Sequence, residues 1–425
     1  MIQKAFKFEP FSKKQRQVLN WWVEGSPVQD ADGIIADGAI RSGKTLCMSL
    51  SFVMWAMENF DGQNFGMCGK TIGSFRRNVL AVLKLTLPAR GYIYKDHRSD
   101  NMMEIRRGDT VNYFYIFGGK DESSQDLVQG ITLAGVFFDE VALMPESFVN
   151  QATARCSVTG SKFWFNCNPE GPYHWFKANW IDKDKRLIYL HFTMDDNYSL
   201  SDEIKRRYKS QYSGVFYDRY IRGLWVMAEG IIYDMFDRNK HIVSGDDIKL
   251  TGLCYISCDY GTQNATVFKM WEKGADGIWY STQEYYYSGR EKRRQKTDGE
   301  YAVDMLEFIG EKNPRAIIVD PSAASFITEL RKKGLPVIKA KNDVLDGIRE
   351  TARLMTMGAI KWFSGCEHTL EEFTSYMWDE KAAQRGEDKP IKEHDHAMDA
   401  DRYFVYTILA SKVAKISNKK ERGLQ

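Results

Sequence analysis

The segment Gly38-Ala39-Ile40-Arg41-Ser42-Gly43-Lys44-Thr45 has the spacing GxxxxGK[ST]. Glycines at Gly38 and Gly43 let backbone amides turn inward around a polyphosphate, with Arg41 and Ser42 in the same loop. Lys44 would neutralise the β- and γ-phosphates of ATP. Thr45 would offer its hydroxyl to Mg2+, and the start of the following helix adds a favourable dipole. Such a site needs an acidic station. The apolar run Val136–Phe138 supplies one, because it ends in Asp139-Glu140. Asp139 would hold Mg2+ through water, and Glu140 would activate the attacking water. This pairing favours hydrolysis over transfer of the phosphoryl group to a small molecule. The plainer alternatives are a glycine turn with an incidental Gly-Lys-Thr and an ordinary acidic strand end.

Three further features bear on the same site. Asn166 and Asn168 follow the apolar run Phe163–Phe165, where an amide would sense the γ-phosphate; an Asn-Pro turn is the alternative. Gln15, in Phe11-Ser12-Lys13-Lys14-Gln15, has an amide able to read both the donor and acceptor edges of adenine, or else begins a solvated helix. Arg41 would bind phosphate oxygens as charge moves during hydrolysis, or pair on the outer surface.

The second half carries a different set. Asp259 ends the run Ile256–Cys258, and Asp320 ends Ile317–Val319. Asp395-His396-Ala397-Met398-Asp399-Ala400-Asp401 opens the last predicted helix, where Asp395 and Asp399 are four apart and His396 and Asp399 three apart. If Asp259, Asp320 and Asp399 converge, they repel one another unless they hold cations. Two Mg2+ or Mn2+ ions about 4 Å apart are the usual solution and clamp a phosphodiester. Asp395 is a further ligand candidate, and His396 would orient a water or contact the scissile phosphate. Singly, each acid also reads as a strand or helix cap. Arg290, Lys292, Arg293, Arg294 and Lys296 form a basic run suited to backbone phosphates, or a solvated loop.

These groups need scaffolds. Short apolar strands at Gly33–Ala36, Phe65–Cys68, Val111–Phe117, Leu133–Phe138 and Phe163–Phe165, with a helix over Leu46–Met57, predict a mainly parallel, doubly wound α/β sheet. After a connector over 230–247, strands at Cys254–Cys258, Thr266–Trp271 and Ile278–Tyr287 precede alternating helices and strands, which predicts a mixed sheet. The closing helix is predicted over 395–411. The domains are therefore 1–240, 241–413 and a basic tail, 414–425. The 425 residues carry 59 basic and 57 acidic side chains, a net charge of +2, which excludes a uniformly cationic nucleic-acid binder but allows a local basic groove. Seven cysteines without a CxxC pair argue against a disulfide framework and fit a reducing cytoplasm. Neither a signal peptide nor a membrane span is expected.

Taken together, FSKKQ, GAIRSGKT, VFFDE, FNCNP, GLWVMAEGIIYDMF, SCDYGT, IIVDPS and DHAMDADRY resemble the large terminase subunit of tailed bacteriophages. The resemblance covers nearly the whole chain and implies a P-loop NTPase domain followed by a ribonuclease H-like nuclease domain. It implies ATP-driven translocation of viral double-stranded DNA and metal-dependent cutting of concatemers. Implied partners are a small terminase subunit, the portal protein of the procapsid and further copies of the chain in a ring, all in the bacterial host cytoplasm. Gln15 then corresponds to the adenine-binding glutamine, and Asn166 and Asn168 to the coupling segment. Many members carry Ser or Thr where Asn166 stands, and their P-loop arginine often lies one position earlier than Arg41. A helicase or repair ATPase with a non-cleaving DNA-binding second half is the competing reading.

Overall fold

The computed structural model describes residues 9–261, 264–290 and 292–410. The basic tail expected at 414–425 lies outside them. The chain groups into two compact units. The first takes in the chain up to Lys209, Tyr217–Met227 and Arg385–Glu387; the second takes in Ser210–Phe216, Ala228–Gln384 and the chain from Asp388.

Eight strands build the sheet of the first unit: β1 (Gly33–Gly38), β2 (Asn64–Gly69), β3 (Ile93–His97), β4 (Met102–Arg107), β5 (Thr110–Gly118), β6 (Gly135–Phe138), β7 (Lys162–Asn166) and β8 (Leu187–Phe192). Their order is β3-β4-β5-β2-β6-β7-β1-β8. The pairs from β5 through β8 are parallel, whereas β3, β4 and β5 form an antiparallel extension. β1, β2 and β6 are buried on nearly every residue, so they read as continuous apolar runs. β3 and β4 carry Lys95, Asp96, Glu104, Arg106 and Arg107 and are only partly buried, which hides them from an apolar-run reading.

The helix Lys44–Asn59 packs Phe52 and Trp55 against Phe65, Phe137 and Trp164, with ring centroids 4.7–6.1 Å apart. Burying each such ring is worth about 1.5–3 kcal/mol. That packing fixes the start of the helix, and with it Lys44 and Thr45.

The second unit has seven strands: β9 (Ile242–Val243), β10 (Leu250–Asp259), β11 (Ala265–Gly274), β12 (Trp279–Ser288), β13 (Ile317–Val319), β14 (Val337–Lys339) and β15 (Ile360–Phe363), in the order β14-β13-β10-β11-β12-β15-β9. β10, β11 and β12 are antiparallel; the remaining pairings are parallel. The stretch expected to be a connector contains the short helix Arg238–His241 and the edge strand β9. The closing helix spans His396–Phe404 and continues as a π-helical turn, Val405–Leu409. Its Phe404 stacks on Trp271 at 4.5 Å, and its Asp401 accepts a 2.7 Å bond from Trp362. Lys269, fully buried on β11, lies 3.6 Å from Asp401 and 3.3 Å from Glu284. These contacts hold the helix against the sheet face beside the ends of β10 and β13. Among the described residues no helix is long and apolar enough to cross a membrane.

Candidate active sites

The loop after β1 wraps around Lys44. Gly38 has φ 119°, and a side chain there would strike the Phe192 carbonyl oxygen at 2.0 Å. Gly43 has φ 85°, and a side chain would meet the Gln15 amide at 2.4 Å. Only glycine satisfies both positions. The Lys44 ammonium donates to the Gly38 and Ala39 carbonyls at 3.1 and 2.7 Å, to Ser42 Oγ at 3.2 Å and to Asn168 Oδ1 at 3.3 Å. Burial lowers its pKa to about 8, although Cys167, Asp37, Asp139 and Glu140 oppose the shift.

Thr45 Oγ1 donates to Asp139 Oδ1 at 2.9 Å. Asn166 holds both acids: its Nδ2 donates to Asp139 at 2.8 Å, and its Oδ1 accepts from the Glu140 amide at 3.1 Å. Burial raises the Asp139 carboxyl, with the Asn166 and Thr45 bonds working against it. Glu140 has φ 60°, a left-handed backbone for a non-glycine residue, stabilised in part by that Asn166 bond. A hydroxyl and a carboxylate in contact form the hard-oxygen pair that suits Mg2+.

Gln15 and Arg41 are both engaged within the unit. Gln15 is buried with its amide engaged: Oε1 accepts from Ser12 N at 2.9 Å in a capping box, and Nε2 lies 3.5 Å from the Ser42 carbonyl. The Arg41 guanidinium lies over the Tyr208 ring at 5.4 Å.

In the second unit Asp259 and Asp320 follow Cys258 and Val319, which pair on the parallel strands β10 and β13. Tyr403 OH donates to Asp320 Oδ2 at 2.6 Å, and both Asp259 and Asp399 act electrostatically on the same phenol. Asp259 accepts from His396 Nδ1 at 2.9 Å. Burial, reinforced by Asp399 and Asp395 against the pull of His396, raises the Asp259 carboxyl to about 6. Burial also pushes Asp320 upward, but bonds from Ser322 and Tyr403 outweigh it and hold that carboxyl below its ordinary value. Asp399 pairs with Arg402 at 2.9 Å, and Lys392 Nζ lies 3.1 Å from Asp395 and 3.3 Å from Asp399.

Charge among the acids is thus balanced by His396, Lys392 and Arg402. Among the described residues no group of three or more Asp, Glu, His or Cys forms a ready cage for a metal. The donors are nonetheless of the right type: Asp259, Asp320 and Asp399 are carboxylates, and a cation would offset both the burial and the Asp399 and Asp395 charges that raise Asp259.

The basic run is partly spent within the unit. Arg294 pairs with Glu300, and Lys296 pairs with Asp304 at 2.5 Å, while Arg290, Lys292 and Arg293 are exposed.

Residues 35–240 match the family model for the terminase large subunit, T4likevirus-type, N-terminal, and residues 265–407 match that for the terminase RNaseH-like domain. The chain is 62% identical to the large terminase of a thermophilic bacteriophage, covering 94% of this chain and all of that one with a TM-score of 0.91. The chain belongs to the large terminase family. A second structure of that thermophilic-phage large terminase, in complex with ATP-gamma-S, superposes with a TM-score of 0.88 at 60% identity, again covering 94% and 100% of the two chains. The large terminase subunit of Escherichia phage T5 is 25% identical over 341 residues, 75% of this chain and 74% of that protein. The large terminase fold is accordingly a mainly parallel P-loop NTPase domain followed by a mixed-sheet ribonuclease H-like domain, and the chain is a large subunit of phage DNA packaging.

Several residues of this large terminase escaped the sequence reading. Asp37, fully buried on β1, accepts from Tyr189 OH at 2.9 Å, His191 Nδ1 at 3.0 Å and Trp225 Nε1 at 2.7 Å. An acid directly between the apolar run Ile34–Ala36 and the P-loop glycine Gly38 was the available signal. Tyr403 and Arg402, which bond Asp320 and Asp399, stand in the DHAMDADRY stretch, where position alone does not show their partners. Glu372 and Lys392 gave no local signal, because their meaning depends on the closing helix.

Proposed function

We propose that this large terminase subunit couples ATP hydrolysis in residues 1–240 to translocation of viral double-stranded DNA into the procapsid, and cuts concatemeric DNA with a metal-dependent endonuclease in residues 241–413. The adjacent ends of β10 and β13, where Asp259 bonds His396 and Asp320 bonds Tyr403, in a chain that also carries the Thr45–Asp139 contact beside Lys44 and Glu140, support this reading.

In the ATPase, Lys44 exchanges its loop carbonyls for phosphate oxygens, and Gly38, Ser42 and Gly43 present backbone amides to the nucleotide. Thr45 and Asp139 would hold Mg2+, which when bound neutralises charge developing on the phosphates. Glu140 takes the proton of the attacking water, and Asn166 keeps both acids in register. Gln15 must release Ser12 to read adenine, and Arg41 must leave Tyr208 to reach phosphate. The ADP and ATP-gamma-S complexes of the thermophilic-phage relative support ATP as the nucleotide.

In the nuclease, Asp259, Asp320, Asp399 and Asp395 would hold two Mg2+ or Mn2+ ions, which when bound activate water and stabilise the leaving oxygen. His396 orients the reacting groups through Asp259. Arg290, Lys292 and Arg293 contact the DNA backbone. The partners are double-stranded DNA, the small terminase subunit, the portal protein and further copies of this chain in a ring, in the bacterial host cytoplasm and transiently at the procapsid portal.

The test is incubation of supercoiled plasmid with the protein and Mn2+. Nicking that disappears in Asp320→Asn supports the reading. Intact plasmid would instead favour a helicase or repair ATPase with a non-cleaving DNA-binding second half.

A further inference from the structure

A helix begins with unsatisfied N–H groups, and the residue at its N-cap ordinarily supplies the side-chain oxygen for the second or third of them. Asp395 stands at that position on the closing helix, yet its side chain makes no capping bond. The two N–H groups are taken from elsewhere. Glu372, on the helix Glu367–Ser375, accepts from Ala397 N at 2.8 Å and from Met398 N at 3.1 Å through one oxygen. Asp395 is 4% exposed, and its Oδ2 accepts no hydrogen bond; it faces Lys392 at 3.1 Å as an ion pair. An aspartate thus stands at the cap position while another acidic side chain takes the cap bonds.

We propose that Glu372 is a positioning residue of the nuclease: by capping the closing helix in place of Asp395, it keeps the Asp395 carboxylate turned toward the acid cluster, where it neutralises Lys392 in the metal-free chain and a divalent cation in the loaded one. This deepens the nuclease reading and rests on it. Removing Glu372 leaves two orphan N–H groups next to the side chain best placed to take them. Asp395 then turns to the cap and is lost to the cation, although its own sequence is unchanged.

The experiment is calorimetric titration of the full chain with Mn2+ alone, without nucleotide or DNA, using Asp320→Asn to supply the background from other sites. Glu372→Ala is expected to weaken Mn2+ binding by about tenfold or more, the scale typical of groups that orient a ligand. Asp395→Ala should weaken it similarly, and the double variant should lose no more than either single one. A purely structural Glu372 would lower the melting temperature and leave Mn2+ affinity unchanged, which would overturn the proposal; additive losses would do the same. Glu372→Gln retains an acceptor for both N–H groups and is expected to fold and bind Mn2+ within a few-fold of the unaltered chain. If it loses binding as Glu372→Ala does, or if Glu372→Ala does not fold and Glu372→Gln binds weakly, the carboxylate acts by its charge and the proposal fails. No Mn2+ binding by the unaltered chain above the Asp320→Asn background would instead defeat the nuclease reading itself.

Discussion

Thr45 and Asp139 are 94 residues apart and joined by a 2.9 Å hydrogen bond. One opens the helix after β1, the other ends β6, and β7 lies between those strands carrying Asn166. The parallel order therefore delivers hydroxyl, carboxylate and amide to one edge, the carboxyl ends of the strands, where doubly wound sheets place their ligands.

Asn166 links this pair to Glu140. Its amide contacts Asp139 on one side and the Glu140 backbone on the other, so Asn166→Ala should free both acids at once. The expected result is a fall in kcat of about tenfold to a hundredfold, with a smaller change in KM for ATP. Steady-state ATPase kinetics would check it; an unchanged kcat would mean that the left-handed Glu140 backbone needs no support from Asn166.

Nucleotide affinity should depend on pH through Lys44. Burial lowers its pKa to about 8 in the nucleotide-free chain. Only the ammonium neutralises phosphate, so above that pH binding must take up a proton. Affinity then falls as pH rises through 8, by up to about tenfold per pH unit. An ordinary lysine would hold its affinity to a pH of about 10. Equilibrium binding of a non-hydrolysable ATP analogue at about pH 7 and about pH 9 distinguishes the two, with equal affinities contradicting the prediction.

Asp37 has no exposed surface and three donors. Trp225→Phe keeps most of the ring volume but removes one donor from a buried carboxylate. The expected loss is about 1–3 kcal/mol of stability, read by denaturant unfolding of the full chain. The segment bearing Trp225 also supports the P-loop, since Ile40 N donates to the Tyr220 carbonyl at 2.9 Å. Nucleotide binding should therefore weaken in the same variant.

Tyr403→Phe removes the 2.6 Å donor that orients Asp320. The Mn2+ concentration for half-maximal plasmid nicking should rise by about tenfold, with ATP hydrolysis unaffected. An unshifted Mn2+ dependence would limit Tyr403 to packing.

Much of this architecture is written locally. β1, β2, β6 and β7 read as apolar runs because both faces are covered, and the acids and amides stand where those runs end. β3 and β4 were not legible, because partly exposed strands keep charged and polar residues, whereas β8, Leu-Ile-Tyr-Leu-His-Phe, is an apolar run whose signal was there to be read. The two-residue β9 is too short to leave a pattern. Among candidate site residues, Lys44, Thr45, Asp139, Glu140, Asp259 and Asp320 could be picked out from motif and strand end alone, and Asp399 from its spacing to Asp395 and His396 on the closing helix. Glu372 and Lys392 could not, since a capping bond made by another helix and an ion pair made across a loop have no sequence spacing. The alternative engagements of Gln15 and Arg41 are equally tertiary: one amide serves a cap, and one guanidinium finds an aromatic face.

The central claim is that two separable chemistries reside in one chain. The most direct measurement is ATP hydrolysis and Mn2+-dependent plasmid nicking, assayed side by side on Glu140→Gln and Asp320→Asn. Glu140→Gln should lose about 10²–10⁴-fold in ATP turnover while still nicking plasmid; Asp320→Asn should stop nicking while hydrolysing ATP at the unaltered rate. ATP turnover at the normal rate in Glu140→Gln, or undiminished cleavage in Asp320→Asn, would contradict the account.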